Sequence, residues 1–125
     1  MPHPSLLVVD PAPDTLAAAR QATGGRADVR HAVSLGEGLE LMRGRTWDAV
    51  LLSLDLPAVD MALVARVVES GIPAGSLVLA ASRPTMQAMV ESSRLGVLGL
   101  VASPVDAREL AGLASVPSIR ALFRF

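Results

Sequence analysis

Short apolar runs recur along this chain, each stopped by a polar or turn residue and succeeded by a stretch of helical periodicity. Residues 6–9 (Leu-Leu-Val-Val), 49–54, 76–81 and 97–102 are continuous apolar segments with few polar interruptions. Runs this short, bounded by turn residues, read as strands buried on both faces. Residues 28–33 instead alternate, and read as an edge strand. Strands alternating with helices through short connections have one economical solution, a parallel sheet covered on both sides. The expected fold is therefore α/β, a doubly wound (βα)5 sheet in the order 2-1-3-4-5.

Helix signals fill the gaps. Asp14 and Thr15 offer caps to a helix reaching Gly24-Gly25, with Leu16, Ala19 and Thr23 facing inward. Ser34 with Glu37 three residues on has capping-box spacing; Leu35, Leu39 and Met42 form the apolar side of that helix. A third helix is expected over 58–70. A fourth has Pro84 in its first turn and runs to Gly96. A fifth occupies 106–115.

The chain has 125 residues, enough for one domain. The domain is placed at 1–115. Residues 116–125, apolar and ending in Phe123 and Phe125, read as a C-terminal extension or the start of a linker to an output domain. Nothing at the start resembles a leader peptide, and no run approaches the ~18 apolar residues of a membrane helix. A soluble, cytoplasmic protein without a membrane partner is expected.

Composition closes several mechanisms. There is no cysteine, which removes disulfides, thiolate catalysis and Cys-ligated metals. All eleven basic residues are arginine, so a Schiff-base lysine and the phosphate-binding lysine of a P-loop are absent. Gly24-Gly25 and Gly36/Gly38 do not fall where a dinucleotide-binding loop needs glycine. The formal net charge of −1 gives no general attraction to nucleic acid. His3 and His31 stand apart and make no metal site; Trp47, before the third strand, is expected to pack at the core edge.

Acidic and small polar residues collect after the strand ends: Asp10, Asp55, Ser82 and Ser103. Those ends line one rim of an open α/β sheet, where ligands usually bind. With Leu-Leu-Val-Val-Asp10, with 48–57 (Asp-Ala-Val-Leu-Leu-Ser-Leu-Asp-Leu-Pro) and with 95–104 (Leu-Gly-Val-Leu-Gly-Leu-Val-Ala-Ser-Pro), the chain resembles the receiver domain of two-component response regulators from Leu6 to about Ala114. The resemblance implies a flavodoxin-like sheet whose rim holds Mg²⁺ on an acidic pair after the first strand. It also implies an aspartate phosphorylated at the end of the third strand. A hydroxyl after the fourth and a lysine after the fifth would read the phosphate, with an aromatic switch residue in the fifth.

Against that pattern, Asp10 matches one acid and Pro11 replaces the other. Ser53 takes the phospho-acceptor position and Ala80 that of the switch hydroxyl. Leu100 replaces the switch aromatic and Ser103 the lysine. A degenerate, or pseudo-, receiver is expected, signalling by contact without aspartyl phosphorylation, with no enzymatic activity and no cofactor. Family habit makes it the N-terminal part of a larger regulator, such as a transcription factor. Its partner would be a second copy or another signalling protein, with no direct nucleic-acid contact by this domain. The resemblance places the contact on the fourth helix, fifth strand and fifth helix, at Met86, Met89, Val90, Arg94, Leu95, Leu100, Arg108, Glu109 and Leu113. The competing expectation for the methionines is that they pack on the sheet, since any helix buries one face. Two other functional readings stand beside this one. In the first, Ser53, Ser82 and Ser103 bind a small ligand at the altered rim, or Asp10 and Asp55 weakly hold a metal. In the second, phosphoryl chemistry has moved to Asp55.

Overall fold

In the computed structural model, which describes residues 4–113, the apolar runs form the strands β1 (Ser5–Val9), β3 (Ala49–Ser53), β4 (Leu77–Ala81) and β5 (Gly99–Ala102), and the alternating run forms β2 (Asp28–Ala32). All neighbours are parallel and the order is β2-β1-β3-β4-β5. The edge position of β2 matches its alternating pattern, while β1, β3 and β4 are buried along their whole length. The helices are α1 (Pro13–Thr23), α2 (Leu35–Gly44), α3 (Met61–Glu69), α4 (Met86–Leu95) and α5 (Ala107–Gly112). No helix among the described residues is long and apolar enough to cross a membrane.

Successive strand residues point to opposite faces, so the sheet divides the core in two. Leu6, Val8, Leu51, Val78 and Val101 pack against Ala18, Ala19 and Ala22 of α1 and Leu110 of α5. Leu7, Val9, Val50, Leu52 and Leu79 pack against Met42 of α2, Val64 and Val67 of α3, and Trp47. Helices therefore cover both faces, α1 and α5 on one, α2 to α4 on the other. The closest approach is at Gly38 of α2, where a Cβ would lie 2.6 Å from a methyl of Val9. Only a glycine lets this helix sit so near β1.

Several local expectations are corrected. Helix α1 begins at Pro13, with Ala12 as N-cap and no side-chain cap. Proline needs no N–H partner and presets the helical φ, so neither Asp14 nor Thr15 is a cap; Thr15, Ala18 and Ala22 are buried and Leu16 only half so. Helix α3 starts at Met61, because Asp60 caps it by accepting the Leu63 N–H at 2.8 Å. The preceding loop contains Ala58 at φ 68°, a left-handed turn that a continuous helix from 58 would forbid. Pro84 lies outside α4, whose cap is Thr85, accepting the Ala88 N–H. The α2 capping is as expected at Ser34, which accepts the Glu37 N–H; Glu37 in turn accepts from Val33, one residue before the cap. The end of the last expected helix, at 115, and the 116–125 extension lie outside the described residues, as does His3.

Candidate functional site

The rim is built from the residues just past each strand. After β1, Asp10 is buried, and its carboxylate is used by its own chain. One oxygen accepts the Ala12 N–H and the other the Thr15 hydroxyl, each at 2.8 Å. The Asp10 carbonyl accepts from Nε2 of His31 on β2 at 2.7 Å. A carbonyl only accepts, so that nitrogen carries the proton. Asp10 thus binds the first loop to the start of α1 and to the edge strand.

At the end of β3, Ser53 is 1% exposed and its hydroxyl accepts the Asp55 N–H at 3.1 Å. Register places Ala80 of β4 directly beside it, so a buried methyl lies where a switch hydroxyl would be. Two residues further on, the two strands are linked differently. Asp55 accepts the Ser82 N–H on both carboxylate oxygens, at 3.2 and 3.1 Å, and the Ser82 hydroxyl at 3.1 Å. On β5, Leu100 pairs with Leu79 and is half-buried. Ser103 gives its N–H to the Ala81 carbonyl and joins Pro104 through a cis peptide bond.

A magnesium ion does not suit these residues. A hard dication needs several free oxygen ligands. Both Asp10 oxygens are engaged, Pro11 supplies no carboxylate, and Ser53 offers one buried neutral hydroxyl. Among the described residues, no three His, Asp or Glu side chains gather as metal ligands. The rim serines do not line a cavity there either. A cavity that reaches the rim, about 770 Å³, lies between α3 and α4. It reaches Asp55 and Arg83 at one end and Arg94 and Leu95 at the other, and neither Ser53, Ser82 nor Ser103 lines it.

Helix α4 overturns the expectation that its methionines pack on the sheet. Met86 is 73% exposed, Met89 46% and Val90 44%. The inward side is Ala88 and Ser92, with Leu95 half-buried. Small side chains let the helix approach closely, which turns the larger apolar ones outward. Ser92 Oγ has no hydrogen-bond partner among the described residues. The exposed three sit at i, i+3 and i+4, one continuous stripe. Arg94, Arg108 and Glu109 are exposed as well, whereas Leu95, Leu100 and Leu113 are partly used by the core.

Two relationships escape sequence reasoning. Thr15, expected as a cap, pairs with Asp10 instead. Ser82, expected as a ligand donor, has Asp55 as its partner. Both Asp55 and Ser82 fall just past adjacent parallel strands, and that is the signal the sequence offers for their pairing. Trp47 is as expected, buried, with Nε1 donating to the Leu41 carbonyl at 2.8 Å.

No protein-family model matches the sequence, and no curated protein does. Solved structures do match by shape. A CheY-like receiver domain protein from Methanospirillum hungatei JF-1 superposes with a TM-score of 0.78 at 19% identity, over 95% of this chain and 96% of that one. The receiver domain of a Luxo repressor protein from Vibrio parahaemolyticus gives 0.78 at 18% identity, over 95% and 92%. An orphan response regulator of H. pylori gives 0.71 at 22% identity, over 97% of each chain. Identities this low carry the fold alone. Topology and superposition agree: the chain has the (βα)5 fold of response-regulator receiver domains.

Proposed function

We propose that this chain is a non-enzymatic signalling module, a pseudo-receiver that works by protein–protein contact without an aspartyl phosphorylation switch. The observation that carries this reading is Ser53. The acceptor position holds a neutral hydroxyl, closed from solvent and bonded to the adjacent backbone. Among the described residues no base is hydrogen-bonded to that serine to activate it, and Ser103 brings no cation to a developing phosphoryl charge. Asp55, two residues further along the chain, has its carboxylate engaged by Ser82.

The contact face in this reading is α4 with β5 and α5, and its occupant is a second copy of the chain. The Met86, Met89 and Val90 stripe is apolar and adaptable. Arg94, Arg108 and Glu109 around it carry both signs, as a self-complementary twofold contact requires. The test is light scattering across concentration for the wild type and for Met86→Glu/Met89→Glu. The wild type self-associates and the variant stays a folded monomer, because both side chains are exposed and neither supports the core. A wild type that is monomeric at all concentrations, or an unchanged dimer in the variant, removes this face from the reading.

A further inference from the structure

A second cavity, about 810 Å³, opens between α2 and α3. It lies at the end of the sheet opposite the rim, since Trp47 just precedes β3. Its floor is apolar, with Met42, Trp47 and Val67 buried beneath it, and Arg43, Arg45 and Arg66 line it. No acidic side chain among the described residues does so.

The three arginines are not equivalent. Arg45 lies over the Trp47 ring, 4.2 Å from its centroid, and pairs with Asp28 at 3.1 Å. Arg43 and Arg66 make no ion pair among the described residues. Glu40 and Glu69, three residues away on the same helices, stay outside the cavity lining. Two arginines without an ion pair among the described residues thus line a groove with an apolar floor. A bare inorganic anion would leave that floor in water, and a neutral apolar molecule would leave the charges unused. The volume falls within the range of small-molecule sites, roughly 300–1,000 Å³.

We propose that this groove binds a small amphipathic carboxylate, its apolar body over the floor near Trp47 and its head group between Arg43 and Arg66. Charge-assisted, bidentate hydrogen bonds from arginine suit a carboxylate. The proposal is independent of how the α4 face is used.

Trp47 is the only tryptophan in the chain, so its fluorescence reads the site directly. The intact protein is titrated with decanoate below its micelle concentration, with decan-1-ol and decyltrimethylammonium as matched neutral and cationic chains. A saturable change in Trp47 emission with decanoate is expected, with binding weaker by about tenfold or more for both other chains. The Arg43→Gln/Arg66→Gln variant loses the decanoate response, and each single substitution weakens it several-fold if the double variant does not fold. Several results overturn the proposal. One is no saturable response to decanoate. Another is equal binding of the cationic chain. A third is an unchanged decanoate response in variants whose melting temperature falls, which would leave the arginines only as partners of their helix C-termini. A response to an oligoglutamate peptide but not to decanoate overturns it too.

Discussion

Asp55 and Ser82, 27 residues apart, hold the loops after β3 and β4 together. The Ser82 N–H and hydroxyl both donate to the Asp55 carboxylate, at 3.1–3.2 Å. In the receiver pattern, a phosphoryl group at the third strand and a hydroxyl at the fourth would form such a link only after phosphorylation. Here an ordinary carboxylate makes it, further out along both loops.

Removing that carboxylate is expected to loosen the loop more than the fold. Both residues are exposed, so Asp55→Ala should cost ~1 kcal/mol or less in global stability. Amide exchange at Ser82 should nevertheless rise clearly above wild type, because its N–H loses its acceptor. Unchanged exchange would mean that the loop is held by other contacts.

Asp10 should behave as a structural residue. Asp10→Ala strands the buried Thr15 hydroxyl and frees the Ala12 N–H, at an expected cost of ~1–3 kcal/mol. Denaturant unfolding measures it. Magnesium should shift the midpoint of neither protein, since both Asp10 oxygens are already used. A magnesium-dependent midpoint in the wild type alone would give Asp10 a metal-binding role.

Gly38→Ala tests the packing of α2. The added methyl meets Val9 at 2.6 Å, and Val9 is fully buried and branched at Cβ. The better helix propensity of alanine, worth about 1 kcal/mol, is outweighed by overpacking of ~1–3 kcal/mol. Thermal unfolding should show a lower midpoint. A higher one would mean that α2 slides away without loss.

Asp28 supplies a pH dependence. Partial desolvation pushes its carboxyl up, but the hydrogen bonds and charges of Arg45 and Arg30 outweigh this and hold it below its ordinary 3.8. A lowered folded value means that the stabilisation is present above the unfolded value and is lost as pH falls through the folded one. The melting-temperature gap between wild type and Asp28→Asn should be small at pH 7 and close as the pH drops below about 4. A gap that widens on acidification would reverse the assignment.

Much of the rim is legible in the sequence because receiver scaffolds are read by strand ends: Asp10, Ser53 and Ser103 each end or border a strand, and Ala80 is the last but one residue of β4. Periodicity, by contrast, has no sign. It locates the Met86, Met89 and Val90 stripe but not whether the stripe faces in or out, and Ala88 and Ser92 have the same period on the other side. Which face wins depends on how near α4 can come to the sheet. The Asp10–Thr15 pair is hidden for a different reason, since a side chain in the loop does the work expected of a cap within the helix.

The absence of an aspartyl phosphorylation switch is tested most directly by intact mass after incubation with acetyl phosphate and Mg²⁺. The mass is expected to stay unchanged. A hydroxylamine-sensitive phosphoryl adduct, on Asp55 or any other carboxylate, would contradict the pseudo-receiver reading.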